Sequence, residues 1–159
     1  MTLSCAIIDD EPLAVSLLES YVKKTPYLDL AGRYNSALNA VSDLTDHPVD
    51  LLFLDIQMPE LNGLEFSKVL PAETRIIFTT AFEQYAVDSY RVNALDYLLK
   101  PISYADFLQS TNKALAWFQL LRHDQQSREG DVTPAGGGKT DMESIFVKSD
   151  YKPVQGELK

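Results

Sequence analysis

The chain has 159 residues, 45% of them hydrophobic and 23% charged, enough for one domain with a sizeable core and too few for two full ones. A formal net charge of -9 repels nucleic acid as a whole, which argues against this segment being the part that grips DNA. One cysteine, Cys5, leaves no intramolecular disulfide and suits a reducing compartment, and with two histidines it cannot build a Cys-rich structural zinc site.

Short apolar runs alternate with helical patterns up to about residue 126. Leu3 to Ile8 (LSCAII) predicts a strand that ends in a block of acids. Pro12 to Lys24 predicts a helix, with Leu13, Leu17, Leu18, Tyr21 and Val22 at helical spacing. Leu28 to Tyr34 predicts a second strand and Ala37 to Leu44 a second helix. Leu51 to Leu54 (LLFL) is an unbroken apolar run, the pattern of a strand buried on both faces, and it stops at Asp55. Gly63 to Leu70 predicts a short helix, Arg75 to Thr80 (RIIFTT) a fourth strand, and Tyr85 to Val92 a fourth helix. Asp96 to Leu99 (DYLL) predicts a fifth strand closed by Lys100-Pro101. Ser103, with Asp106 three residues on, caps a long helix running to about Gln126. On that helix Phe107, Leu108, Thr111, Leu115 and Phe118 can face the sheet, while Trp117, Leu120 and Leu121 fall partly off that stripe.

Strands alternating with helices imply βαβ units: an α/β, doubly wound, five-stranded parallel sheet with helices on both faces. Ligands of such sheets sit outside the carboxyl ends of the strands. No apolar run approaches the roughly 18 residues of a membrane span, and the N-terminus lacks a basic region followed by an apolar stretch. The expectation is a soluble, cytoplasmic domain. Residues 127–143 contain Pro134 and Gly136-Gly137-Gly138 without apolar periodicity, as a flexible linker does. Ile145-Phe146-Val147 then has strand character, and a linker leading to one lone strand suggests that a following domain is cut off.

The strand ends gather chemistry. Asp9, Asp10 and Glu11 follow the first strand and Asp55 the third, two ends expected to be neighbours. Clustered carboxylates repel and raise one another's pKa unless a cation sits among them, and oxygen ligands suit a hard ion such as Mg²⁺. Thr80 ends the fourth strand and Lys100 the fifth, a hydroxyl and an ammonium facing the acids as ligands for an anion.

IIDDEP, LLFLDIQMPELNGLE, IIFTTA and DYLLKP resemble the receiver domain of bacterial two-component response regulators, over roughly residues 3 to 126. The resemblance implies a flavodoxin-like (βα)5 fold and a switch rather than an enzyme. It implies that Asp55 accepts a phosphoryl group from a sensor histidine kinase. Asp9, Asp10 and Asp55 would hold Mg²⁺ with the Gln57 backbone carbonyl, Lys100 would pair with the phosphoryl oxygens, and the peptide before Pro101 would be cis. Thr80 would swing to the phosphoryl group and Tyr97 turn inward behind it. The fourth helix, fifth strand and fifth helix would form the output face; Trp117, Leu120 and Leu121, partly off the sheet-facing stripe of the last helix, predict a phosphorylation-favoured homodimer through it. Gln57 and Phe82 would flank the path of the hydrolytic water, a bulky Phe82 slowing dephosphorylation. ESIFVKSDYK resembles the opening strand of a LytTR-type DNA-binding domain, and NALDYLLKPI the wording of receivers attached to one. The expected organisation is a receiver over residues 1–126, a linker over 127–143, and over 144–159 the disordered, truncated start of a DNA-binding domain that regulates transcription.

Two other readings use the same residues. A haloacid dehalogenase-type phosphohydrolase also has a strand-end aspartate, but Asp55-Ile56-Gln57 lacks the second acid of its DxD motif. A docking module that works without phosphorylation would be expected to have lost Asp55, an acid or Lys100, and all are present.

Overall fold

The structure, a computed structural model, describes residues 1–59, 62–82 and 94–130, the side chains of 124–130 excepted. The predicted fourth helix and everything after Gly130 lie outside the described residues. Two units are distinguished, Met1–Trp117 and Phe118–Lys159. The sheet, its core and the candidate site belong to the first; of the second, only the helical turns up to Gly130 are described.

Strands β1 (Leu3–Ile8), β2 (Leu28–Tyr34), β3 (Leu51–Asp55), β4 (Arg75–Thr80) and β5 (Asp96–Leu99) form one sheet in the order β2-β1-β3-β4-β5. Every pairing is parallel. The order reverses between β1 and β3, and a crevice opens at their carboxyl ends at such a switch point. The doubly wound α/β sheet expected from the sequence is the fold observed.

Alternation along the central strands divides the core. Ala6, Ile8, Leu52, Leu54 and Phe78 pack with Ala40 and Leu44 of α2 (Ala37–Asp46) and with Phe66. On Phe53 the ring of Phe107 stacks at 5.2 Å, with Tyr21 of α1 (Pro12–Lys24) 5.3 Å from Phe107. Burying each such aromatic contributes on the order of 2–3 kcal/mol. Helix α1 turns inward Val15, Leu18 and Val22, whereas Leu13 and Leu17, expected on its apolar face, are exposed.

Between β3 and β4, α3 (Gly63–Phe66) passes into a 3₁₀ turn, Ser67–Val69, shorter than the helix expected to Leu70. The Asn62 side chain caps it, accepting the Leu64 N–H at 2.6 Å. The C-terminal helix (Tyr104–Gly130) outruns its expected end at Gln126, since no breaker precedes Gly130. Ser103 caps it as expected, its hydroxyl accepting the Asp106 N–H at 3.1 Å. Its buried residues include Ser110 and Ala114 as well as Phe107, Thr111 and Phe118, while Leu108 and Leu115 are only half-buried. Ser110 can be buried because its hydroxyl donates to Asp96 at 2.6 Å. Trp117 is half-buried with the Arg75 guanidinium 4.7 Å above its ring, and Leu120 and Leu121 are exposed. Among the described residues no helix is long and apolar enough to cross a membrane.

Candidate functional site

The carboxyl ends of β1, β3, β4 and β5 meet around a cavity of about 530 Å³ lined by Asp10, Glu11, Asp55, Gln57, Ala81, Phe82, Lys100 and Pro101. Each side chain arrives there for a local reason. Asp55 is the last residue of an all-buried strand, so it is carried in with the core and is 3% exposed. Its Oδ1 accepts the Gln57 N–H at 3.1 Å. Asp9, at 0% exposure, follows β1, and its Oδ1 accepts the Glu11 N–H at 2.9 Å. Asp10 is exposed beside it. Lys100 leaves β5 with its N–H on the Thr80 carbonyl at 2.7 Å, and the Lys100-Pro101 peptide is cis, as the resemblance implies.

The Lys100 ammonium reaches three acids. Nζ lies 2.7 Å from Glu11 Oε1, 3.0 Å from Asp9 Oδ2 and 3.6 Å from Asp55 Oδ2. The contact with Asp9 is an ion pair without hydrogen-bond geometry, so Asp9 Oδ2 is a buried oxygen that accepts no hydrogen bond. Burial would lower the Lys100 pKa, but the hydrogen bond to Glu11 and the charges of Asp9 and Asp55 outweigh it and raise it. Asp55 is pushed up to about 7, by burial first and the charge of Asp9 second, against the pull of Lys100. One ammonium does not neutralise so many carboxylates.

Asp9, Asp10 and Asp55 each offer an oxygen within 4.8 Å of the others. Hard carboxylate donors, a buried oxygen lacking a donor and a carboxyl destabilised by its neighbour's charge all fit a divalent cation such as Mg²⁺. This is an acidic pocket of the kind at which receiver domains bind that ion.

Thr80 is fully buried, and its hydroxyl oxygen accepts the Phe82 N–H at 3.1 Å. Phe82 itself is 45% exposed at the cavity's edge. Tyr97 is set back from this group: half-buried, it pairs in register with Phe78 and packs against the cluster beneath β3 and β4. The structure therefore brings Asp9, Asp10, Asp55, Gln57, Lys100 and Phe82 together, keeps Thr80 adjoining, and leaves Tyr97 one layer away.

Two contributors escaped the sequence reading. Glu11, one acid of the DDE run, is the nearest partner of Lys100, a pairing that no local pattern predicts. Gly63 supports the floor: its N–H donates to the Ile56 carbonyl at 2.8 Å, and a Cβ at this position would collide with the Asp55 carbonyl oxygen. A glycine eight positions after the acid, at a helix start, was the only signal available.

Comparison with known proteins identifies the family of the segment that contains this site. Residues 5–112 match the family model described as response regulator receiver domain. The transcriptional regulatory protein BtsR of Escherichia coli strain K12 is 41% identical over 130 residues, 80% of this chain and 52% of that protein. A response regulatory protein of Shewanella oneidensis is 38% identical over 113 residues, 70% of this chain and 48% of that protein. The chain thus spans about half the length of these curated relatives. Among solved structures, the response regulatory domain of mrkE from Klebsiella pneumoniae superposes with a TM-score of 0.67 at 28% identity, covering 73% of this chain and 98% of that one. The receiver domain of a modulated diguanylate cyclase from Desulfovibrio desulfuricans gives 0.66 at 26%, covering 76% and 98%. The matched segment contains every strand-end residue named above, and the chain belongs to the receiver domain family of two-component response regulators.

Proposed function

We propose that Asp55 is the phosphoacceptor of this receiver and that a sensor histidine kinase supplies the phosphoryl group. The observation that carries this reading is the placement of a buried carboxylate 3.6 Å from an ammonium at a switch-point crevice lined by further acids. An Asp55 oxygen forms the new O–P bond as the donor's P–N or P–O bond breaks, and the freed imidazole or carboxylate leaves. Lys100 turns its charge towards the oxygens of the arriving group, where charge stabilisation supplies most of the catalysis of phosphoryl transfer. Asp9, Asp10, Asp55 and the Gln57 carbonyl would hold Mg²⁺, which when bound would supply further positive charge to the site. Thr80 exchanges its bond from the Phe82 N–H for one to a phosphoryl oxygen, and Tyr97 repacks behind it. One added charge thus biases a packed element with two arrangements.

In this reading the switch keeps its last helix to Gly130, the linker follows up to residue 143, and 144–159 begin an output domain. Output is assigned to control of transcription in the cytoplasm through a LytTR-type DNA-binding domain. The wording of ESIFVKSDYK supports it, as do the names of relatives of which this chain spans about half. Such a protein acts on itself as a switch and not on a substrate as an enzyme.

The test is intact mass after incubation with acetyl phosphate, with and without Mg²⁺, beside Asp55→Ala. One Mg²⁺-dependent phosphoryl adduct, absent from the variant, is expected. No adduct under any condition overturns the assignment in favour of a module that signals by docking alone.

A further inference from the structure

We infer that Glu11 is a positioning residue for Lys100, a latch that holds the ammonium away from Asp55 until an anion arrives. The inference rests on the reading of Asp55 as phosphoacceptor. Glu11 occupies the N-cap position of α1, where short Ser, Thr, Asp or Asn side chains usually accept a helix N–H. Its side chain makes no such bond. It extends instead across 89 positions of sequence to Lys100, its Oε1 accepting from Nζ at 2.7 Å.

The three distances to Nζ rank the acids. Glu11 is nearest, Asp9 follows at 3.0 Å, and Asp55 at 3.6 Å is beyond hydrogen-bond range. Lys100 is therefore drawn towards β1 and away from the acid it is to assist. Asp9 is fully buried, whereas the Glu11 side chain is 62% exposed on a flexible stem. Of the two nearer partners only Glu11 can swing into solvent and let the ammonium go. An incoming phosphoryl group competes with one exposed carboxylate, so the latch is weak enough to open and strong enough to set a resting position.

The experiment compares the full chain with Glu11→Gln and Glu11→Asp. Adduct formation is followed by intact mass over a range of acetyl phosphate concentrations at saturating Mg²⁺. Glu11→Gln should raise the maximal rate roughly two- to fivefold, the rate equivalent of one exposed ion pair, with little change in the donor concentration for half-maximal rate. Glu11→Asp keeps the charge on a stem one methylene shorter, able to cap α1 instead, and should restore only part of the restraint. Without Mg²⁺ or donor, acylation of Lys100 by an amine-selective reagent, read by peptide mass, should rise most in Glu11→Gln and less in Glu11→Asp.

If the parent chain forms its adduct and Glu11→Gln reacts no faster, with Lys100 labelled equally, the latch is overturned while the phosphoacceptor reading stands. A slower Glu11→Gln also overturns it, because Glu11 would then assist. If no chain forms an adduct, the reading of Asp55 fails first, which a labelling difference at Lys100 cannot rescue.

Discussion

Gly63 lies against the backbone of Asp55 so closely that a methyl group at position 63 has nowhere to go. Its Cβ would meet the Asp55 carbonyl oxygen and stand 2.9 Å from the Ile56 Cα, both backbone atoms that cannot rotate aside. The end of the strand that carries the candidate acceptor and the start of α3 are thereby packed through bare backbone. Gly63→Ala should cost about 1–3 kcal/mol by overpacking. Because the displaced atoms belong to Asp55 and Ile56, adduct formation should fall more than the lost stability explains. Chemical denaturation beside phosphorylation of the folded fraction separates the two effects.

Asp55 also makes stability depend on pH. Its pKa rises on folding from 3.8 to about 7. The folded chain therefore keeps a proton that the unfolded chain has lost between those values. The Asp55 contribution is full below about pH 4, is lost as pH climbs through that window, and levels off above about 7. Asp55→Asn removes the ionisation, so the variant should be the more stable protein at pH 8, by on the order of 2 kcal/mol, with the gap closing towards pH 4. Mg²⁺ should raise the Tm of the parent at pH 8 by mass action and that of Asp55→Asn much less. Thermal melts at three pH values, with and without Mg²⁺, check both statements. Equal stability of the two chains at pH 8 would mean that the carboxyl is not destabilised in the fold.

What the sequence made legible follows from locality. Three strands are short runs that stop at a functional residue, so LLFL-Asp55, RIIFT-Thr80 and DYLL-Lys100 reveal strand, end and chemistry together. Parallel pairing of β1 with β3 then brings the acids together, a consequence of βαβ handedness. Contacts between distant segments are not written that way. The Glu11–Lys100 pair joins residues 89 apart, and Gly63 matters only because the chain folds back onto Ile56. Periodicity also misassigned Leu13, which has helical spacing but lies in the first turn of α1 at 86% exposure. Val15 takes the inward position, because the direction of a helix's buried face is set by the sheet below it.

A phosphorylation-favoured homodimer is expected through the output face, to which β5 and the C-terminal helix belong. Asp96 accepts from Ser110 at 2.6 Å and pairs with Lys113 at 3.2 Å, beside a cavity of about 400 Å³ lined by Tyr97, Gln109 and their neighbours. Polar groups already paired within the chain can be re-paired across a symmetric contact, where they give register more than affinity. Sedimentation should show a heavier species with Mg²⁺ and beryllofluoride than without, and Lys113→Glu should return it to monomer by placing like charges at the contact. A monomer under all conditions removes the dimer and leaves the phosphoacceptor reading intact.

Phe82 sets the expected lifetime of the phosphorylated state. Phe82 lines the same cavity as Asp55, while its backbone N–H, not its side chain, satisfies the Thr80 hydroxyl at 3.1 Å. Phe82→Ala therefore removes bulk from the approach to Asp55 and keeps the hydrogen bond that holds Thr80. A water molecule attacking phosphorus must come in opposite the Asp55 oxygen, through the open side of the cavity. Freeing that route should shorten the lifetime of the adduct about tenfold, equivalent to about 1.4 kcal/mol of barrier. Acceptance of the phosphoryl group, which uses Asp55 and Lys100, should change far less. Decay of the intact-mass adduct after removal of the donor gives the answer directly: an unchanged lifetime in Phe82→Ala would show that the ring does not gate water, and that the acids around Asp55 set the rate themselves.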